Sequence, residues 1–290
     1  MSLGVLTNVA AINAENSLNS TQNSLNTVLQ QLSSGSRINS GADDAAGLSV
    51  SDGLAANEAA LTQSAQNAQN GVGLLQTADG ALSQVTNLLD RAVTLATEAS
   101  NGGLTTAQAT AADTEFQSII TEIGNIGANT NFNSTNVFSS TATNFVVSDG
   151  TTAGTTTIAT TVGTLASTSV GVTTTDTAGV ITTAGGEDLS TQNLTTQTLA
   201  QSALTAVTTA ISDVSAQRGN LGANINQLNA AANVASSEEV NLSSAQSSIL
   251  ATNFGQATSD LAKYQVLDQT GISALAQANS TQQEILKLLQ

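Results

Sequence analysis

Residues 61–100 read LTQSAQNAQNGVGLLQTADGALSQVTNLLDRAVTLATEAS and carry the strongest structural signal in the chain. Apolar residues recur in it at a strict seven-residue step, and a second apolar series runs three or four residues out of phase. The step positions are Leu61, Ala68, Leu75, Leu82, Leu89 and Ala96, and the interleaved positions are Ala78, Val85, Ala92 and Ala99. Such an alternation is typical of a coiled-coil helix, which needs a partner to cover its apolar stripe.

A second ladder of the same kind lies near the other end of the chain. Its positions are Val207, Val214, Leu221, Leu228, Ala235, Leu242 and Ile249, interleaved with Leu204, Ile211, Ile225 and Ala232. The residues that we expect to form the seam between the two ladders are Leu75, Leu82, Leu89, Val207, Val214, Leu221 and Leu228. The sequence predicts a mainly α protein, an elongated rod of long coiled-coil helices formed by both chain ends, with a small Thr/Ser-rich β outer domain in the middle.

Turn and cap residues predict where these helices begin and end. A weaker heptad series in residues 1–32 is expected to end at the Ser33-Ser34-Gly35 break, before a polar connector. The second helix is expected to start at Ala45 or Leu54 and to stop at Asn101-Gly102-Gly103. The remaining predicted helices cover residues 105–126 and, after 190, the rest of the chain, with discontinuities near 236–239 and 270–271.

The middle of the chain, residues 139–190, is dominated by Thr, Ser, Gly and Val. Thr and Val favour strands, so we expect short strands in an exposed outer domain. The alternative interpretation is a tolerated low-complexity insertion. In either case both ladders lie outside residues 145–185, whose Thr/Ser-rich surface offers little apolar area.

Composition excludes several classes of function. The 290 residues contain no His, Cys, Pro or Trp, and the formal net charge is −16. Disulfides, imidazole or thiolate metal sites and His-based catalysis are therefore excluded, and phosphate-backbone binding is disfavoured. The carboxylate pairs Asp43-Asp44 and Glu238-Glu239 are best interpreted as helix-capping or solvated groups. We predict no enzyme activity, no cofactor, no metal site and no nucleic-acid partner.

The sequence gives two alternatives for location. It has no continuous apolar window of about 18 residues, so we expect no membrane span. Residues 1–17 lack a basic n-region, so we expect no cleaved signal peptide. The chain is then either cytosolic or exported by a route without such a peptide. The absence of Cys and Pro favours export, because neither oxidation nor prolyl isomerisation delays refolding.

Several motifs carry a resemblance to a known family. Residues 29–48 read LQQLSSGSRINSGADDAAGL, which resembles the N-terminal hallmark of bacterial flagellin, LSSG-x-RIN-x-x-x-DDAAG. NAQNGV at 67–72, DGAL at 79–82 and LAQAN at 275–279 resemble further family segments. The resemblance covers about 1–138 and 200–290, and the short middle implies a small form with one outer domain.

The resemblance implies a domain plan. Residues 1–40 and 253–290 would pair as an inner coiled-coil domain, and residues 41–138 and 191–252 would form a helical rod domain. Residues 139–190 would be the variable outer β domain. One departure from the family concerns residues 247–254, which read SSILATNF without a charge where relatives carry an Arg-rich run.

The resemblance also implies a function. A flagellin is an extracellular structural subunit that is exported unfolded, without a cleaved signal peptide, and polymerises at the filament tip for motility. The implied partners are other copies of the chain, an export chaperone and cap or junction proteins. Because residues 145–185 lie outside both ladders and offer little apolar area to a lattice, we expect that deletion of roughly this span leaves polymerisation intact. Two alternatives stay open, namely a hook–filament junction protein with related terminal helices and a secreted adhesin on a coiled-coil stalk.

A candidate interface lies in residues 89–96, which read LDRAVTLA. Arg91 and Leu95 are four residues apart on one helical face and off the Leu89 seam, so we expect an exposed apolar residue beside a cation. This window resembles the flagellin segment recognised by a vertebrate Toll-like receptor, and Glu115 matches an acidic residue that joins it. Val93 stands where relatives carry a second basic residue. The other hypothesis is that Arg91, Leu95 and Glu115 serve contacts between neighbouring protofilaments.

Overall fold

The computed structural model describes residues 8–149, 156–171 and 186–288. Within these ranges the chain is mainly α, as predicted. The helices are α1 (Val9–Ser34), α2 (Ala45–Ala99), α3 (Thr106–Asn129), α4 (Gln197–Leu250) and α5 (Phe254–Leu288). The strands are β1 (Asn131–Phe132), β2 (Thr135–Asn136), β3 (Thr143–Val146) and β4 (Thr157–Thr160). The expectations for residues 1–7, 150–155 and 172–185 lie outside the described residues.

The described chain divides into two compact units. The terminal unit comprises residues 1–56 and 241–290, and the central unit comprises residues 57–240. None of the described helices combines the length and the apolar character that a membrane span requires.

Side-chain caps set the helix ends, largely where the sequence predicts them. The Asn8 side chain accepts a hydrogen bond from the Ala11 amide, and α1 ends before Gly35, whose φ of 72° suits glycine. Asp44 Oδ1 accepts from the Gly47 amide at 2.8 Å, so its predicted capping role is confirmed. Thr105 and Gln108 form a capping box at the start of α3.

The two predicted discontinuities in the C-terminal helices are wrong. Helix α4 continues through residues 236–239, and α5 continues through Gly271. A glycine within a helix costs only about 1 kcal/mol relative to alanine, and packing on either side outweighs that cost. The interruption falls instead at residues 251–253, where Asn253 Oδ1 accepts from the Gln256 amide and caps α5.

In the terminal unit, α1 packs antiparallel on α5. Gly35 lies against Phe254 and Gly271 against Leu18, and Asn8 Nδ2 donates to the Ala278 carbonyl at 3.0 Å. The predicted heptad positions of α1 are the ones that face inward, since they are less exposed than their neighbours. They are Ala11, Ala14, Leu18, Thr21, Leu25, Val28 and Leu32. Only Val28 among them is fully buried.

In the central unit, α2, α3 and α4 contribute to one continuous hydrophobic core. Helix α3 contributes Phe116, Ile119, Ile120 and Ile123. The strands form two antiparallel hairpins, β1–β2 and β3–β4, and the second pairs Thr143 with Thr160 and Val146 with Thr157. Strands in the middle of the chain are therefore confirmed.

The described apolar residues of the middle segment pack into the central core, which the sequence pattern did not predict. Ile158, Val162, Leu165 and Val170 are all buried and belong to the central core. They were hidden in the sequence because polar Thr and Ser residues surround them. The described residues 156–171 thus contribute to the core of the central unit.

Close backbone contacts hold this segment in place. At Gly127 of α3, a Cβ atom would lie 1.9 Å from the Leu165 carbonyl oxygen, so only glycine permits the approach. On α4, the buried Gln217 side chain donates through Nε2 to the Val162 carbonyl. The segment after β4 therefore contacts both α3 and α4.

Candidate functional site

The Arg91 and Glu115 side chains meet on the surface of the central unit. Arg91 Nε lies 2.7 Å from Glu115 Oε1, and Nη2 lies 3.0 Å from Oε2, which makes a bidentate ion pair between α2 and α3. Each side chain remains about half exposed, at 53% and 47%. The hydrogen bonds raise the pKa of Arg91 and lower that of Glu115. The two side chains form a solvent-accessible, bidentate charge pair on this surface.

The prediction that Leu95 is exposed beside Arg91 is wrong. Leu95 is only 3% exposed and belongs to the central core. The reason is that α3 lies against this part of α2, as the Arg91–Glu115 ion pair demonstrates, and so buries a face that the ladder alone leaves open. Leu95 is therefore a packing residue, and the candidate interface is reduced to its two charged members.

The predicted seam residues are brought together in the core of the central unit. Each of them is at most 1% exposed, namely Leu75, Leu82, Leu89, Val207, Val214, Leu221 and Leu228. A polar pair closes one edge of this seam, where Arg218 Nε lies 2.7 Å from Asp79 Oδ1. Gly71 lets Leu228 approach α2 closely, since a Cβ atom at Gly71 would lie 2.9 Å from Leu228 Cδ1.

In the terminal unit, the connector between α1 and α2, which carries the RIN motif, is hydrogen-bonded to the end of α4 and to the short connector that follows it. The Arg37 amide donates to the Leu250 carbonyl at 2.6 Å, and its Nη2 donates to the Ile249 carbonyl at 2.7 Å. Ser36 pairs with Ala251 in an antiparallel bridge. The Arg37 cation thus lies at the carboxyl end of α4, where a positive charge interacts favourably with the helix dipole.

Asp43 organises the same connector. Its Oδ2 accepts from the Asn39 amide at 3.1 Å and from both the amide and the hydroxyl of Ser40. These donors, the Asn39 amide foremost, lower the pKa of Asp43. The DDAAG motif is therefore structural in this protein, because Asp43 closes the connector and Asp44 caps α2.

Exposed apolar side chains are concentrated on the terminal helices. In the described residues, twelve large apolar side chains are exposed, and seven of them lie on α1 and α5. These seven are Val9, Ile12, Leu29, Phe254, Val266, Leu267 and Ile272. These side chains are available for contact with another protein. The described residues contain no group of three His, Cys, Asp or Glu side chains placed to hold a metal ion.

Comparison with known proteins matches the helical regions at both ends of the chain to one family. The family model of the bacterial flagellin N-terminal helical region matches residues 5–143, and that of the C-terminal helical region matches residues 204–289. A flagellin of Halalkalibacterium halodurans is 31% identical over 282 residues, which cover 97% of this chain and 98% of the relative. The chain belongs to the flagellin family. The predicted resemblance is thereby confirmed.

Other flagellins are similar to a comparable degree. The flagellar filament 33 kDa core protein of Treponema phagedenis is 29% identical over 97% of this chain and 98% of its own length. The crystal structure of Bacillus cereus flagellin is 26% identical, with a TM-score of 0.45, and covers 58% of this chain and 88% of that chain.

The flagellin family models leave residues 144–203 unmatched, and this stretch holds the contacts that sequence reasoning missed. Val162 and Leu165 are buried, and the Val162 carbonyl accepts a hydrogen bond from Gln217. Neither feature produces a periodic pattern in the sequence. The Arg37 contacts were missed for another reason, because their acceptors are backbone carbonyls, which any residue supplies. The Gly124-x-x-Gly127 spacing in α3 is the one clue that the sequence offers to the close approach of Leu165 to this helix.

Proposed function

We propose that this flagellin is the structural subunit of a bacterial flagellar filament and assembles by self-association of its terminal helices. The observation that carries the proposal is the apolar surface of α1 and α5, which the terminal unit leaves exposed. A pair of helices that buries only one side of each helix obtains little burial to offset the cost of ordering its backbone, about 1–2 kcal/mol per residue. Burial against further copies of the chain supplies the missing contacts. The relative named as a filament core protein supports the same conclusion.

The experiment is electron microscopy of purified protein to which fragmented filaments of the same protein are added as seeds. Long uniform filaments that grow from the seeds support the proposal. Binding at one filament end without elongation would instead identify a junction protein. Soluble subunits in the presence of seeds would contradict both.

A matched pair of variants locates the assembly surface. Leu267 on α5 and Leu199 on α4 are the same residue type with nearly equal exposure, at 42% and 40%. We expect Leu267→Ser to suppress filament growth, because it removes apolar area from the terminal surface, and Leu199→Ser to leave growth unchanged. Both variants should keep the wild-type melting curve of the central unit.

The other partners belong to the same proposal. We propose that the protein is exported unfolded to an extracellular filament and that an export chaperone covers the apolar face of α5 before export. Cap and junction proteins would contact the same terminal helices. Calorimetry with a flagellar export chaperone tests this, since Leu267→Ser should weaken binding more than Leu199→Ser.

We propose, further, that the exposed Arg91–Glu115 pair contacts a Toll-like receptor when the subunit is free. Leu95 has no part in this contact, because it is buried. Arg91→Ala and Glu115→Ala should each reduce signalling in receptor reporter cells, whereas the exposed neighbour Asp90→Ala should not. Equal signalling by all three variants and the wild type would refute the proposal.

A further inference from the structure

A carboxylate occupies the seam of the terminal helix pair. Seven of the less exposed positions of α5 follow an alternating four- and three-residue spacing, which is the heptad pattern of a coiled-coil seam. These seven positions are Ala257, Leu261, Tyr264, Asp268, Gly271, Leu275 and Ala278. Asp268 is the one acidic residue in this series, since Asp260, which is also less exposed, lies outside the spacing.

The antiparallel register places Asp268 level with Thr21 of α1. This register follows from the contacts of Gly35 with Phe254 and of Leu18 with Gly271. Thr21 offers no proton to the carboxylate, because its Oγ1 donates to the Ser17 carbonyl of its own helix at 2.9 Å. Thr21, the residue opposite, therefore gives the Asp268 carboxylate no hydrogen bond.

None of the described residues donates a hydrogen bond to one of the two carboxylate oxygens of Asp268, whose side chain is partly buried. This oxygen, Oδ1, is itself buried. The nearest cation along α5, Lys263, is itself exposed, and its Nζ lies 5.4 Å from the centre of the Tyr264 ring. The ion pairs of the described chain, Arg91–Glu115 and Arg218–Asp79, both belong to the central unit.

A buried acceptor without a donor opposes folding, and the opposition is larger for a charged group. In the central unit such a cost would be small beside a fully buried core. In the α1–α5 pair the same cost is a larger fraction of the stabilisation, because only Val28 and Ala257 of the seam are buried. The balance of helix pairing therefore depends strongly on this one residue.

We propose that Asp268 is a control residue that prevents stable closure of the α1–α5 pair in the free subunit. Stable pairing is thereby deferred until further copies of the chain cover the outer apolar faces of the two helices. The device keeps free subunits from associating before they reach a growing end. It rests on the proposed function as a self-assembling subunit.

The test is amide hydrogen exchange of the free subunit, compared between wild type and Asp268→Leu. The leucine removes the unsatisfied acceptor and fills the seam. Exchange of the α1 and α5 amides should slow by about five- to a hundredfold, the range expected when such an acceptor is removed. Gln269→Leu is the matched control, because it places the same side chain at the exposed next position, and it should leave exchange at the wild-type rate.

Asp268→Asn covers the case in which the leucine variant misfolds. It keeps the shape of the side chain, removes the charge and adds a donor, so it should slow exchange in the same direction by a smaller factor. Glu284→Gln removes an exposed charge from the same helix and should have no effect. Exchange rates in Asp268→Leu and Asp268→Asn that equal those of the wild type would overturn the inference.

A second readout is the ability of free subunits to polymerise without seeds. Asp268→Leu should form filaments spontaneously at concentrations where wild type stays monomeric. Because exchange is measured on the free subunit, it tests Asp268 even if wild type never forms filaments. Seeded growth of wild type with unchanged exchange in both variants would refute the inference alone.

Discussion

Both units of this flagellin contain helices with a heptad pattern, but the seam is fully buried in only one of them. In the central unit, the seam residues of α2 and α4 are fully buried, and α3 and the middle segment cover further faces of the core. In the terminal unit, the described buried residues are only Val28, Ile38, Ser51 and Ala257. A heptad ladder thus specifies which face of a helix pairs, whereas the number of neighbouring elements decides how much of that helix is buried. The central unit is complete within one chain, and the terminal unit is not.

The largest effect is expected from a charge in the complete seam. Leu82→Asp or Leu221→Asp removes a buried leucine, at about 2–5 kcal/mol, and also forces a carboxylate into the core. The central unit should lose its cooperative melting transition in circular dichroism. Leu199→Asp, on an exposed face of α4, should melt as the wild type does. A normal melt of both seam variants would mean that the seam is misassigned.

An intermediate effect is expected at the glycines of the central helices. At Gly127 an added methyl group would meet the Leu165 backbone, so Gly127→Ala should destabilise the central unit by about 1–3 kcal/mol. Gly80 in α2 has no atom within 4 Å of an added Cβ, so Gly80→Ala should stabilise the unit by up to about 1 kcal/mol. Urea titration of both variants measures the change in the free energy of unfolding, which should have opposite signs in the two. Equal values would show that the middle segment does not pack on α3.

The smallest effect is expected from the Arg91–Glu115 pair, because both side chains are half exposed and screened by solvent. Since the folded protein lowers the pKa of Glu115, this ion pair stabilises the fold above the unfolded pKa and is lost as the pH falls through the folded pKa. The melting temperature of Glu115→Gln should therefore lie slightly below that of wild type at neutral pH and converge with it in acid. A difference that grows in acid would contradict this sign.

Periodic features were predictable from the sequence, and contacts from distant segments were not. The seam at Leu82 and Leu221 follows from spacing alone, and the Asp44 cap follows from its place before an apolar run. The exposure of Leu95 was predicted wrongly because one apolar ladder indicates one packing partner, whereas α2 packs against both α3 and α4. Val162 and Leu165 were missed because short buried strands and connectors in a Thr/Ser-rich background have no helical period.

The helix boundaries show the limits of local propensity. Residues 236–239 and 270–271 carry polar or glycine signals that end isolated helices, yet α4 and α5 continue through them. Near these signals, Ala235 of α4 is buried and Leu275 of α5 is partly buried. The true interruption at 251–253 has a weak local signal, and the Arg37 contacts hold it from across the unit.

Hydrogen exchange of the wild-type protein, free and in filaments, tests the contrast between the two units most directly. In the free subunit, amides of α1 and α5 should exchange far faster than those of residues 61–99 in α2, because the terminal pair lacks a buried core. In the filament both sets should be protected. Terminal helices that are as protected in the free subunit as the central ones would contradict the claim that the terminal unit is completed only by assembly.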